Sequence, residues 1–466
     1  MNRANRRKTT WAGCLALGLL GLPCGLLAGE KPRDVGSRHQ LFIDDWVTES
    51  MKGCVRVLHQ PVRDANNPVV GRDHPWETWG SDAKGVTYTP DDGLFRMWYR
   101  SIGRYDPDLY GDRKAEFLTG FATSRDGVHW EKPTLERVDF RGSKKNNLIP
   151  NIGGMFHDTH EQNPARRFKV PGQYSKDGIT WSRDPEIVAP PDKPRWGAVT
   201  YVDHLEKYLL CSQAGFPRQA WVRFSSDLKT WTPGVRAVHG DDQDPPNMEV
   251  YVMGLACRDG LILGFPAMYW TWPKPDTKRP QQSGWIDVQL ATSRDGVHWQ
   301  RAGDRQTFFR RGDDGEFDDA MVFLLPPIEF NNELLFFYDG WDDHHGTKVR
   351  HSATGLARLR RDGYISLVPY DDLTVAEVTT KPLKFEGSRL LVNAVADQSL
   401  GVELLDGAGK PIPGFERANC SPIKGDKLDH VVTWKGGKSV GALAAKPVKV
   451  RFYLKRAHLY AFRFAN

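Results

Sequence analysis

The stretch SRDGVHW occurs twice without a change, at Ser124–Trp130 and at Ser293–Trp299. A heptapeptide kept in two copies is either reaction machinery or scaffold, and its spacing decides between them. Relaxed to Ser-x-Asp-x-x-x-Trp, the motif has four copies, starting at Ser124, Ser175, Ser225 and Ser293, which lie 51, 50 and 68 residues apart. A period near 50 built from strand-like segments predicts a β-propeller, one blade per repeat. Upstream of the motif runs a second pattern: GVTYTPDDGLFRMWYRS from Gly85, GAVTYVDHLEKYLLCSQA from Gly197, VYVMGLACRDGLILGFPAMYW from Val250 and MVFLLPPIEFNNELLFFYDGW from Met321. Each is two β-rich runs around a turn and reads as a hairpin. A degenerate copy of the turn, GLARLRRDGYISLVP from Gly355, keeps Asp362-Gly363 and loses the Trp. Five blades are expected.

With strands a to d counted outward from the axis, the motif falls on the turn between c and d. Its Asp can cap backbone N–H groups, its Gly supplies the turn, and its Trp can wedge between blades. Strand direction alternates, so that turn lies on the face opposite the starts of the innermost strands, where ligand groups converge. SRDGVHW therefore reads as scaffold. From about Asp371 the pattern changes to short alternating strands. Val448, Val450, Phe452 and Leu454 share one face, as do Tyr460, Phe462 and Phe464, which predicts a β-sandwich. The expected organisation is all-β: a five-bladed β-propeller over residues 30–370 followed by a C-terminal β-sandwich over 371–466.

Residues 1–29 have a basic start, a short apolar run containing Pro23, and small residues Ala28 and Gly29, which is the layout of a secretory signal peptide. The mature chain is thus expected to be secreted or periplasmic. The full chain carries 64 Lys and Arg against 58 Asp and Glu. The leader holds Arg3, Arg6, Arg7 and Lys8 and no acid, so the rest is nearly neutral. That gives no electrostatic case for nucleic acid or an anionic membrane. Beyond the leader, Cys54, Cys211, Cys257 and Cys420 are widely scattered, which fits either one disulfide or buried free thiols.

The starts of the inner strands select candidate site residues. HPWETWGSDAKGV supplies Trp79 and Asp82, GGMFHDTHEQNP supplies Asp158, DDQDPPNMEVYV supplies Glu249, and GEFDDAMVF supplies Asp318 and Asp319. Loops on the same face carry Tyr105, Tyr110, Trp270, Trp272, Trp285, His344 and His345. Aromatic faces suit the C–H faces of sugars, and carboxylates accept hydroxyl hydrogen bonds. Adjacent histidines seldom converge on one ion, so no metal and no cofactor is expected. The sequence has no GxSxG elbow, HExxH, P-loop or dinucleotide fingerprint.

Five blades, these turns, acids at inner-strand starts and a C-terminal β-sandwich resemble the five-bladed propeller glycoside hydrolases of families thirty-two and forty-three. LFIDDWVTES from Leu41 and NNPVV from Asn66 are similar to an exported, little-characterised family-thirty-two-like branch. The resemblance implies a carbohydrate substrate and three carboxyls. Asp82 would be the nucleophile or base, Asp158 the carboxyl that tunes the acid, and Glu249 the proton donor. Trp79, Asp318, Asp319, Trp270, Trp272 and His344 would contact substrate. The Asn-Asp-Pro-Asn-Gly motif of family thirty-two and its Glu-Cys pair are absent. The expectation is an exported glycosidase acting on terminal sugars. The alternatives are a non-catalytic carbohydrate-binding propeller and a glycoside phosphorylase with phosphate-binding arginines drawn from Arg72, Arg100, Arg195 and Arg218.

Overall fold

In the computed structural model the described residues are 31–101, 118–192, 197–272, 283–347, 350–444 and 446–466, and the leader segment 1–29 lies outside them. Strands dominate the described residues, and the only helices among them are short 3-10 turns. All four hairpins read from the sequence form antiparallel pairs: Asp82–Thr89 with Leu94–Arg100, Ala198–Val202 with Lys207–Ala214, Met248–Arg258 with Leu261–Trp272, and Met321–Leu324 with Glu333–Trp341. A smaller antiparallel sheet, Phe156–His157, Phe168–Val170, Gln173–Ser175 and Trp181–Arg183, lies between the first two in sequence.

These sheets pack face to face in a propeller-like succession. Trp98 and Phe121 of the first sheet meet Phe168 and Val170 of the second, and Phe156 of the second meets Tyr208 and Leu210 of the third. Leu209 and Val222 of the third pack on Val250 and Ile262. Phe265 and Val288 pack in turn on Phe336 and Tyr338. Finally Leu335, Phe337 and Leu356 return to Phe95, Met97 and Tyr99 of the first sheet, so the succession closes on itself. The third and fourth hairpins belong to one eleven-stranded sheet, in which two antiparallel groups are joined by a single parallel bridge, Ile286 to Met321.

The repeated turn behaves as scaffold. In Ser124–Trp130, Asp126 Oδ1 accepts from the backbone N–H of Val128 and of His129, both at 2.8 Å. Trp130 Nε1 donates to Gly127 O at 2.9 Å, and the indole packs edge-on against Phe337 of another sheet with ring centroids 5.6 Å apart. The same Asp bonds recur at Asp177, Asp227 and Asp295. One position of each copy needs positive φ; it is filled by Gly127, Gly178 and Gly296, and in the third copy by Leu228 at 62°.

The structure corrects the sequence reading at the last repeat. Ile365–Pro369 does not follow Ser352–Arg360 as its outer strand; that place is taken by Val62–Arg63 from the start of the chain. Ile365–Pro369 pairs instead with Cys54–Leu58 in a ten-stranded sheet. This sheet also contains Arg33–Gly36, Gln40–Leu41 and Thr48–Lys52, so sheet membership does not follow the expected division at residue 370. Its spine is Val448–Ala465, where alternation in sequence becomes alternation in burial: Val448, Val450, Phe452 and Leu454 are buried with Lys449, Arg451, Tyr453 and Lys455 between them less so. Phe42 joins Phe452 and Phe462 in that core. All four cysteines of the described chain are free thiols.

Candidate active site

The inner strands of the closed succession surround a cavity of about 640 Å³. One end is apolar, lined by Tyr88, Leu255, Leu325, Pro326 and Ile328, while the starts of the inner strands carry charge. Asp82 opens the strand Asp82–Thr89, lines the cavity and is only 2% exposed. Its two carboxylate oxygens accept from Lys84 Nζ and Arg100 Nη2. The antiparallel register places Arg100 directly opposite Asp82. Burial by itself would push the Asp82 carboxyl up, but Arg100 and then Lys84 outweigh it and hold the group well below the usual carboxylate range.

Asp339, which the sequence reading did not select, stands beside Asp82. It comes from the middle of Glu333–Trp341, lines the cavity, is 4% exposed and shares a side-chain hydrogen bond with Asp82. Burial first, and then the Asp82 charge, drive its carboxyl well above the ordinary value, with Lys84 opposing. Two carboxyls this close cannot both ionise cheaply, and the cations next to Asp82 determine which one keeps the proton. The pair is therefore an ionised Asp82 and a protonated Asp339.

Around the pair, the guanidinium of Arg350 lies 5.1 Å from the Trp341 ring centroid and 5.5 Å from that of Trp79, and Arg100 stacks over Trp79 at 5.0 Å. His345 bridges two phenols, with Tyr269 Oη 3.1 Å from Nδ1 and Tyr251 Oη 3.2 Å from Nε2. His157 also lines the cavity; burial, and then Arg167, bring its imidazole down to about 4, so it is neutral at pH 7.

The remaining selected residues divide. Glu249 does not line the cavity; it is buried and accepts from Arg218 Nη1 at 2.6 Å, while its Oε1 is buried with no hydrogen-bond partner. The same Arg218 lies over Tyr251 and Tyr269, at 5.4 and 5.1 Å, so Glu249 is one guanidinium away from the His345 cluster. Asp158 is buried but is not in the cavity wall. Lys169 Nζ at 2.5 Å and Tyr208 Oη at 2.8 Å hold one oxygen, and the His160 N–H holds the other. Its neighbour His157 is the residue that reaches the cavity. Asp318 is also outside the wall and accepts from Arg63 Nε at 2.8 Å, fastening the strand Val62–Arg63. Asp319 accepts from the Gly315 N–H within its own loop.

Trp79 does not line the cavity; it is half-buried against Trp341, which does, with centroids 5.6 Å apart. Trp270 pairs with Trp285 across its sheet and does not line the cavity. Trp272 pairs with Ser283; its side chain lies outside the described residues, as do Tyr105, Tyr110 and Arg195. His344 packs on Trp285 while His345 takes the cavity position. Among the described residues, no three His, Cys, Asp or Glu side chains gather closely enough to hold a metal ion.

No family model matches the chain. Two uncharacterized proteins of Mycobacterium tuberculosis, from strains CDC 1551 and H37Rv, are 28% identical to it over 217 residues, covering 42% of this chain and 69% of each relative. Solved structures similar to it include glycoside hydrolases. A fructofuranosidase of Schwanniomyces occidentalis is 14% identical over 84% of this chain and 98% of its own, with a TM-score of 0.38. A GH32 β-fructofuranosidase of Bombyx mori is 14% identical over 88% and 94%, with a TM-score of 0.37. A member of the GH130 family, described as mannoside phosphorylases containing glycoside hydrolases that target β-1,2 mannosidic linkages in Candida mannan, is 16% identical over 69% and 96%, with a TM-score of 0.40.

Proposed function

We propose that the chain is an exported glycoside hydrolase that cleaves a terminal sugar in the central cavity of a five-bladed propeller carrying a β-sandwich. One observation carries this reading: a buried, ionised carboxylate, Asp82, lies in the cavity wall with a protonated carboxyl, Asp339, hydrogen-bonded to it. A hydrolase of this kind needs an ionised carboxylate at the anomeric carbon, and the protonated Asp339 beside Asp82 leaves Asp82 as the charged member of the pair. Asp82 acts on the anomeric carbon, directly or through water. Asp339 orients Asp82 and limits its basicity; being in contact with it, Asp339 is too close to flank the other side of a glycosidic bond, since acid and base in such enzymes stand at least about 5 Å apart. Glu249, held by Arg218 behind the Tyr251, Tyr269 and His345 cluster, is the proposed donor of a proton to the leaving oxygen. Trp341 offers an aromatic face for the sugar ring, with Trp79 packed behind it. Asp158, pinned by Lys169 and Tyr208, is a positioning residue behind His157.

The test is hydrolysis of chromogenic glycosides and of plant or algal polysaccharides by the purified protein and its Asp82→Asn and Glu249→Gln variants. Each substitution is expected to lower kcat/KM by about 10² to 10⁴, the usual contribution of a general acid or base, while sugar binding survives. Full turnover in both variants removes the assignment. Sugar affinity without any product from the unsubstituted protein replaces it with a carbohydrate-binding propeller.

A further inference from the structure

The charge balance of the cavity wall points to the kind of sugar. Among the described lining residues, Lys84, Arg100 and Arg350 supply three cations, and Asp82 and Asp339 are the two carboxyls. Lys84 and Arg100 are both engaged with Asp82. Arg350 is different. It donates Nη1 to Thr347 O at 3.1 Å, its Nε is buried without an acceptor, and no carboxylate of the described residues lies within ion-pair distance of it. A guanidinium placed in a cavity wall without a counter-charge is costly unless a ligand supplies one. Burial, and then Arg100, weaken its hold on its proton against the opposing pull of Tyr251, Asp82 and Tyr269, the direction expected for a cation with no carboxylate in contact. With Asp339 protonated, the wall's positive excess grows.

We propose that Arg350, backed by Arg100, is an oxyanion subsite, and that its ligand is the carboxylate or sulfate ester of an acidic sugar. The planar guanidinium fork matches a carboxylate or sulfate with two parallel hydrogen bonds. Trp341, which lines the cavity with Arg350 5.1 Å from its ring centroid, gives the ring of the same sugar an apolar surface. The choice of a sugar as carrier of the anion rests on the hydrolase reading above, whereas the oxyanion subsite rests on Arg350 alone.

Calorimetric titration separates the two. Probes are galacturonate and glucuronate oligosaccharides, a sulfated oligosaccharide, their neutral counterparts, and inorganic phosphate and sulfate, each against the unsubstituted protein, Arg350→Gln and Arg350→Lys. Acidic sugars are expected to bind about 10- to 100-fold more tightly than neutral ones, the range of a hydrogen bond to a charged group. That advantage is expected to vanish in Arg350→Gln, to persist in part in Arg350→Lys, and to shrink with added salt. Equal affinity for acidic and neutral sugars overturns the subsite and leaves the hydrolase reading standing. Arg350-dependent binding of inorganic phosphate with phosphate-dependent cleavage of a neutral glycoside overturns the acidic-sugar assignment in favour of a free ion. Arg350-dependent binding of inorganic anions with no sugar bound at all keeps the subsite and removes the hydrolase reading. Should Arg350→Gln fail to fold, the acidic-to-neutral ratio of the unsubstituted protein and of Arg350→Lys still decides.

Discussion

Asp339→Asn tests the proton-sharing pair without any substrate. In the folded chain Asp339 keeps its proton far above the pH at which an unfolded Asp loses it, so over that interval the folded state binds one more proton than the unfolded state. Stability then falls as pH rises, by up to about 1.4 kcal/mol per pH unit for a single proton. Asp82 runs the other way: its carboxyl is depressed, so its contribution is present above pH 4 and is lost only on acidification. Between pH 4.5 and 6.5 the slope belonging to this pair is therefore that of Asp339. Asparagine is isosteric with a protonated aspartic acid, and its amide can donate to Asp82 while removing the titration. The stability of Asp339→Asn relative to the unsubstituted protein should climb in the variant's favour across that range, by at most about 2.7 kcal/mol. Taking the difference cancels other titrating groups, including His157. Urea unfolding followed by tryptophan fluorescence at pH 4.5, 5.5 and 6.5 measures it. A difference that is constant with pH would mean that Asp339 titrates as an ordinary carboxyl, and the ionised-and-protonated pair in the cavity wall would fall with it. In an Asp82→Asn background the carboxyl of Asp339 should titrate at lower pH than beside a charged Asp82, because the Asp82 charge is gone while the effect of burial remains.

Asp158→Asn strands Lys169 without its full counter-charge and is expected to cost about 3 kcal/mol of stability, read by urea midpoint, while the folded fraction keeps its affinity for sugar; loss of binding in a fully folded variant would put Asp158 in the site. Gly178→Ala places a methyl against the Trp98 ring at a backbone angle of +73° and should lower stability by about 1 to 3 kcal/mol or more. Asp126→Ala removes the carboxylate that caps the repeated turn and is expected to cost about 1 kcal/mol with turnover unchanged. Phe452→Ala, which empties the middle of the ten-stranded sheet's core, should cost about 3 to 5 kcal/mol by the same measurement.

The repeat was readable because its turn is local: Ser, Asp, Gly and Trp bond within seven residues, so the chemistry of the turn is spelled out in consecutive letters. The hairpins were legible for the same reason. The rule that acids at inner-strand starts face the axis places Asp82 in the cavity wall. It did not carry over to Asp158, Glu249 and Asp318, because a basic neighbour, Lys169, Arg218 and Arg63 respectively, holds each carboxylate outside the wall. Asp339 was missed because it lies inside the apolar run LLFFYDGW, where an acid reads as one more residue of a strand. Its isolation among aromatics was the available signal, since an acid buried in a strand needs a partner. Arg350 and His345 come from a loop whose path follows no period. The outer strand Val62–Arg63 is two residues long and pairs with Arg358 and Ala357 at the other end of the chain, a distance over which no pattern in a single sequence carries information.

The pairing of the chain's beginning with its end has a consequence for biosynthesis. Thr48–Lys52, Cys54–Leu58 and Val62–Arg63 leave the ribosome hundreds of residues before their partners, Ala376–Thr380, Ile365–Pro369 and Ser352–Arg360. Until then these early segments present open backbone edges, which are templates for pairing with other chains, and the closure that joins them spans almost the whole polypeptide and is correspondingly slow. A nascent chain released before Val448 would lack the spine that orders its own first strands, so damage at the carboxyl terminus would be felt at the amino terminus.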